Sequence, residues 1–391
     1  MKVLLIITDY GSFNNFLSEV AVQLLSAGHE VEVICSLIKV ISCDDKYPYK
    51  ELGIKFHYFD FPRSFNFISQ LKASKKINKC IEEIDPDLIN IHFTTGIFTT
   101  VLWGKPKFFT IGTVHGIGYP VIKKPLRKLV FEMVEKFCFK RLDQIYLINS
   151  FDFNLVKKLF PQKTFLYNSL GVGCDLRKFN PFKWSAELKL QLKQQLSINS
   201  EEFVLAYTGR FVAFKGFHIV IKAFNSLVNQ YKITNIKLLL IGGEDPIHAT
   251  GLSPAEHKEY LANKNIIRTD FTDEVDKYLS IADLFVFPSQ KEGMPVCIME
   301  ALALGVPVIT ANSRGCNDLI QHNFNGLLLS DNPTSSETRE AILKLYRDRE
   351  LLKTFSANAL SKRGSFSREL YVEDQIEVYS HATDVASHKY A

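Results

Sequence analysis

Residues 284–310 read LFVFPSQKEGMPVCIMEALALGVPVIT. An apolar run, 284–287, stops at Pro288. Residues 295–304 then carry helix signals: Pro295 suits a first helical turn, Gly305 a C-cap, and Pro307 lies just beyond. A second apolar run, 306–310, comes next. Strand, turn, short helix and strand at this spacing form the unit of a parallel sheet covered by helices. The helix would open its N-terminus at the carboxyl edge of the sheet, where free N–H groups and the helix dipole favour a diphosphate. Glu300 would lie roughly 8 Å from that end, placed for hydroxyl groups beyond the phosphates. Glu292 sits in the preceding loop, free to reach another part of the ligand.

The same alternation runs outward in both directions. Upstream, residues 2–8, 31–35, 54–59, 87–92, 107–114 and 144–149 read as strands, with a helix over 14–27 that closes at Gly28. At 171–181 (GVGCDLRKFNP) the pattern breaks. Beyond it lies a second series: 203–207, 237–241, 266–269, 284–287, 306–310 and 326–329. The expectation is an α/β chain of two Rossmann-like, doubly wound domains facing a cleft. They would span 1–175 and 176–370, with 371–391 a C-terminal helix able to pack back on the first domain.

Composition narrows the function classes. The 391 residues are 46% hydrophobic and 23% charged, which excludes a disordered or fibrous chain. No apolar run approaches the roughly 20 residues of a bilayer span, and Asp9 follows the first strand where a secretory signal would need small residues. The cysteines, at 35, 43, 80, 138, 174, 297 and 316, are scattered and fit reduced thiols in the cytoplasm, with no zinc motif. Charge is uneven. Residues 1–180 hold 24 Lys+Arg against 17 Asp+Glu, and the remainder is slightly acidic. The first half could therefore face an anionic partner or membrane; a nucleic-acid binder would be more basic. The 75–79 basic run reads as solvated surface.

Two further constellations carry chemistry. Gly209-Arg210-Phe211-Val212-Ala213-Phe214-Lys215-Gly216 follows strand 203–207 and precedes a helix over 217–230. Arg210 can grip a diphosphate bidentately and Lys215 can act as a point charge. In the first domain, Thr113-Val114-His115-Gly116 ends strand 107–114 and brings a histidine to the cleft. A nicotinamide dehydrogenase of the same general fold needs Gly-x-Gly-x-x-Gly after a strand. Neither Tyr10-Gly11-Ser12 nor Gly242-Gly243-Glu244-Asp245 supplies it.

Together these residues resemble the GT-B glycosyltransferases, in the large retaining group called family four, or group 1. The resemblance rests on the Arg210–Lys215 turn, the Glu-x7-Glu pair Glu292 and Glu300, His115-Gly116, the 171–179 link and the 305–309 turn. It implies that Arg210 and Lys215 neutralise the nucleotide diphosphate in place of a metal, so no cofactor is needed. It also implies that the backbone of Gly293, Met294, Pro295 and Val296 binds phosphates and sugar hydroxyls. Glu292 would touch the donor sugar, Glu300 the ribose, and His115 the transferred sugar near its anomeric carbon. Gly11 stands alone where the family often has a Gly-Gly against the donor phosphate. Thr269-Asp270-Phe271 fills a position where the family often has glycine. Retention by a front-face route is implied too, in which the leaving phosphate helps to deprotonate the acceptor.

Residues 313–320 (SRGCNDLI) look like enzymes that build bacterial capsule, exopolysaccharide and O-antigen units on polyprenyl-diphosphate carriers, mostly from UDP-sugars. The partners so implied are a nucleotide-sugar donor and a saccharide or polyprenyl-linked acceptor. The basic, apolar stretch 123–141 would dock on an anionic inner leaflet. The alternatives are a same-fold epimerase or sugar-phosphate synthase, and a non-catalytic GT-B partner in a synthesis complex.

Overall fold

The computed structural model describes residues 1–38, 44–62, 66–122, 124–246 and 248–390. Cys43 and Lys123 lie outside the described residues. The described chain divides into two compact units, Met1–Val172 with Glu369–Ala391, and Gly173–Arg368.

Among the described residues the first unit holds a seven-stranded sheet: β1 (Lys2–Ile6), β2 (Glu30–Cys35), β3 (Lys55–Tyr58), β4 (Leu88–His92), β5 (Phe109–Val114), β6 (Gln144–Leu147) and β7 (Thr164–Leu166). All pairings are parallel, in the order β3-β2-β1-β4-β5-β6-β7. The central strands are apolar on both faces because helices cover both; Val3 to Ile6 are fully buried. β7 carries no strong apolar run and is not expected from the sequence. It is held in place by pairing with β6.

The helix expected over 14–27 is two helices, Tyr10–Phe16 and Ser18–Ser26, broken at Leu17. Asp9 caps the first by accepting from the Ser12 N–H at 2.9 Å, which draws the start back to Tyr10. Strand β6 ends before Asn149 because that side chain turns to cap the next helix, accepting from the Asp152 N–H.

The C-terminal helix Arg368–Tyr390 lies with the first unit from Glu369 on. Asp374 accepts from the Ser169 N–H (2.8 Å) and hydroxyl (2.9 Å), and the Tyr379 hydroxyl accepts from Asn90 Nδ2 at 2.6 Å. Asn90, Gln375 and Tyr379 are fully buried, so these bonds satisfy groups that water cannot reach.

The second unit holds β8 (Phe203–Thr208), β9 (Ile236–Ile241), β10 (Ile266–Arg268), β11 (Leu284–Phe287), β12 (Val308–Ala311) and β13 (Gly326–Leu329), again all parallel, in the order β10-β9-β8-β11-β12-β13. The strand expected at 306–310 starts later, at Val308. The helix expected over 295–304 is Val296–Ala303, with Pro295 at its N-cap and not inside its first turn.

In each sheet the strand order reverses once, between β1 and β4 and between β8 and β11. Open parallel sheets bind ligands outside the carboxyl ends of their strands at this reversal. The loops after β8 and β11 are the two that the sequence nominates.

Candidate active site

The loops after β8 and β11 are laced together. The Gln290 N–H donates to the Phe214 carbonyl at 3.1 Å, and the Ser289 hydroxyl reaches the same oxygen at 3.3 Å. Gly216 has φ +76°, and a Cβ there would sit 2.5 Å from the Pro288 carbonyl oxygen. Only glycine allows that approach in that conformation.

Within this frame Lys215 Nζ lies 2.9 Å from Glu292 Oε1, both side chains largely buried. Burial opposes the ammonium charge, but Glu292 outweighs it and holds Lys215 above its ordinary pKa. Ser289 Oγ also donates to Glu292 Oε1, at 2.8 Å. Glu292 is therefore not the free loop side chain expected from the sequence; it is held against the lysine. Arg210 pairs with Asp245, which also faces His248. Asp245 is the partner that sequence reasoning missed: it comes from the loop after β9, 35 residues away in the chain.

The Val296–Ala303 helix starts at Pro295 with no side-chain cap among the described residues, so its first N–H groups face the loop unclaimed by a side chain. Gly293 and Met294 lead into it. The 313–320 segment braces them: Arg314 Nε donates to the Glu292 carbonyl (2.8 Å) and Ser313 Oγ to the Ser289 carbonyl (2.7 Å). Glu300 lies farther along the helix, partly buried, and its carboxyl makes no hydrogen bond among the described residues. Burial pushes it up to about 7, against the pull of Lys178 and Arg368. Cys297 is a neighbour not foreseen. Burial raises its thiol, which also feels Lys215, Glu292 and Glu300. At Asp270, in the stretch where the resembled family often has glycine, φ is +56°, a left-handed conformation that an aspartate tolerates.

His115 and Gly11 belong to the first unit. Gly11 lies in the first turn of Tyr10–Phe16, and a Cβ there would meet only Asp9 Oδ1 at 3.5 Å, so packing does not demand glycine. His115 lines a cavity of about 960 Å³ at the carboxyl edge of the first sheet, with Thr8, Asp9, Ser36, Phe93 and Glu135 among its walls. Burial lowers its pKa to about 4, so the imidazole is neutral. Phe93 packs on it at 4.4 Å between ring centroids, from a backbone at φ +66° that non-glycine residues rarely adopt.

Behind His115 stands a second histidine that sequence reasoning missed. His92 is fully buried at the end of β4, its Nδ1 3.1 Å from His115 Nε2. His92 Nε2 is buried with no partner among the described residues. An orphaned N–H is the rarer defect in buried groups. His92 therefore carries its proton on Nδ1 and donates to His115, whose own proton then sits on Nδ1. If His115 meets the transferred sugar, as the resemblance implies, the expected result is that His92→Phe lowers turnover roughly tenfold, the worth of one hydrogen bond of about 1.4 kcal/mol. His92→Asn, which keeps a donor, recovers most of it. Equal rates for wild type and His92→Phe would overturn this positioning role.

Two family models match the chain: "Glycosyl transferases group 1" over residues 189–362 and "Glycosyl transferase 4-like" over residues 2–149. A UDP-Gal:alpha-D-GlcNAc-diphosphoundecaprenol alpha-1,3-galactosyltransferase of Escherichia coli is 25% identical over 307 residues, covering 77% of this chain and 76% of the relative. An N,N'-diacetylbacillosaminyl-diphospho-undecaprenol alpha-1,3-N-acetylgalactosaminyltransferase of Campylobacter jejuni is 25% identical over 352 residues, 87% of this chain and 90% of the relative. Among solved structures, sucrose-phosphate synthase of Thermosynechococcus elongatus matches with a TM-score of 0.78 at 19% identity, over 98% of this chain and all of that one. The 4-like model covers β1 to β6 of the first sheet and the group 1 model all of the second, so the chain carries a glycosyl transferase 4-like domain and a group 1 glycosyltransferase domain in the GT-B fold.

Proposed function

We propose that this chain moves a hexose or N-acetylhexosamine from a UDP-sugar to a saccharide or polyprenyl-diphosphate-linked acceptor, with retention and without a metal ion, in bacterial surface polysaccharide assembly. The observation that carries this reading is the pair of matched charges at the strand reversal of the second sheet. Lys215 is paired with Glu292, three residues before the helix start at Pro295, and Arg210, paired with Asp245, is near enough to act electrostatically on Lys215. Each cation is held by a carboxylate, so both are fixed in place. A diphosphate leaving group gains negative charge as the glycosyl bond breaks, and fixed cations and helix N–H groups stabilise that charge without rearrangement. Glu292, engaged by Lys215 and Ser289, is poorly placed to be a covalent nucleophile. The leaving phosphate takes the acceptor proton instead.

The Pro125–Lys140 helix supports the lipid-linked acceptor. Arg127, Phe131, Val134 and Glu135 line the first unit's cavity. On another face Leu126, Leu129, Val130, Met133 and Phe137 stand exposed at helical spacing, and Lys128, Lys136 and Lys140 flank them. A helix with an apolar stripe and basic flanks lies in an anionic interface, while its cavity side receives the saccharide. Among the described residues no helix is long and apolar enough to cross a membrane.

Ligand-induced thermal stabilisation in EDTA tests the donor site. A ligand at 100 times its dissociation constant adds about 2.7 kcal/mol. The expected result is a shift with UDP and UDP-sugars, absent with GDP and ADP and lost in Glu300→Ala. A shift that appears only with magnesium would overturn metal independence, and none under either condition would overturn the donor site itself.

The same measurement has a pH dependence of known sign. Ribose hydroxyls donate to a carboxylate, so Glu300 must be ionised to bind, and burial pushes its pKa up to about 7. UDP affinity falls as pH drops through about 7, tending to tenfold per unit below it, and Glu300→Gln abolishes this slope. A slope retained in Glu300→Gln would assign it to another group.

A further inference from the structure

The 75–79 basic run, read from sequence as solvated surface, is part of a second cavity in the first unit. Its volume is about 620 Å³, and it lies between the Phe67–Ile84 helix and the loop before β5. The loop enters β5 at its amino end, so this cavity is at the opposite edge of the sheet from the one that holds His115.

One wall is a helical stripe. Lys72, Lys75, Lys76 and Lys79 follow the i, i+3, i+4, i+7 spacing, while Gln70, Ser74, Ile77, Ile81 and Ile84 turn inward and are buried. The other wall carries Trp103, Lys105 and Lys107. The described lining thus holds six lysines and one carboxylate, Glu82. Lys105 is engaged by Asp143 at 2.7 Å. Lys107 and Lys79 have only long, exposed contacts of 3.5 Å with Glu82 and Glu83. Lys75 lies 5.2 Å over the Trp103 ring. Lys72 and Lys76 make no ion pair or side-chain hydrogen bond among the described residues.

The cavity is nonetheless built on fixed backbone. The fully buried Ser74 hydroxyl accepts from the Trp103 N–H (2.9 Å) and donates to the Thr100 carbonyl (3.0 Å), and Asn78 Nδ2 donates to that carbonyl at 2.7 Å. Trp103 is thereby held with its indole half exposed beside the lysines.

We propose that this cavity binds the phosphate of an anionic phospholipid headgroup, a second membrane contact separate from the Pro125–Lys140 helix. The proposal rests on the membrane reading above. Lysines without arginine suit several point-charge contacts with a diffuse anionic surface more than bidentate capture of one free phosphate. An exposed indole beside them suits the headgroup layer, where Trp is enriched. The Thr94–Val101 helix packs against both the lysine helix and the Pro125–Lys140 helix, which places the three in one layer of the first unit.

Flotation of the full chain with phosphatidylcholine vesicles, with and without phosphatidylglycerol, tests it. Each lysine near an anionic leaflet contributes about fivefold. Lys72→Gln/Lys75→Gln/Lys76→Gln is expected to lower binding to phosphatidylglycerol vesicles roughly 100-fold and leave binding to neutral vesicles unchanged. Met133→Glu, on the other helix, weakens binding to both. A triple variant that keeps the anionic preference overturns the proposal while the docking helix stands. A wild type that floats with neither vesicle overturns both. Trp103 emission, read in a Trp184→Phe background, separates the sources: a blue shift with phosphatidylglycerol vesicles supports the lipid, and one with soluble glycerol phosphate alone overturns it. Retention of a short DNA that the triple variant abolishes, without vesicle binding, would also overturn it.

Discussion

Lys215→Ala lowers turnover by about two to three orders of magnitude, the range for losing one preorganised donor to a developing oxyanion, and changes donor KM far less. The ammonium is positioned by Glu292 at 2.9 Å and held in its charged form by that contact. Its removal does two things. The leaving diphosphate loses a cation, and Glu292 loses its counter-charge in a largely buried loop. The second effect is structural and can be separated from the first. A double variant, Lys215→Met with Glu292→Leu, removes both charges and fills the space with apolar groups, which tends to restore stability lost by breaking a buried pair. The expected outcome is a recovered melting temperature and no recovered activity. If the double variant regained activity with stability, Lys215 would be a scaffold residue and not a catalytic one.

Gly216→Ala is the second large effect, and it acts through backbone alone. The position has φ +76°, and the new Cβ would lie 2.5 Å from the Pro288 oxygen and 2.8 Å from its carbonyl carbon. A left-handed non-glycine residue costs about 1–2 kcal/mol. Forcing apart packed backbone adds about 1–3 kcal/mol. In a unit of this size a kilocalorie shifts the midpoint by about 2–4 °C, so the second unit should melt roughly 5–15 °C lower. Because the displaced Pro288 leads directly into the loop that carries Glu292 and Gly293, UDP-induced stabilisation should fall in the same variant. A midpoint within about 2 °C of wild type, the low end of that scale, would show that the two loops part without cost.

The sheets were largely legible because their strands are buried on both faces and so read as apolar runs; 284–287 and 326–329 coincide with β11 and β13. The reversal-point loops were legible because glycine, proline and charge gather there. The features that were not legible share one cause: the partner lies far along the chain. Asp245 reads as an acid in a turn until β9 is placed beside β8, where it meets Arg210. His92 reads as the end of an apolar strand until β5 pairs with β4 and sets it behind His115. The basic run at 75–79 reads as solvated surface until the loop that carries Trp103 is placed beside it. β7 has too few apolar residues to declare itself without β6.

The first unit takes its last helix from the far end of the chain, with Asp374, Gln375 and Tyr379 supplying partners for Ser169 and Asn90. On the ribosome those partners emerge about 200 residues after the sheet they complete, a delay of roughly 10–40 s at 5–20 residues per second. Throughout that interval the second unit can fold while the first waits, its buried polar groups open to water. The order of synthesis is thus N-terminal first, but the order of completion is reversed. A nascent chain released before this helix would carry a finished second unit and an unfinished first one.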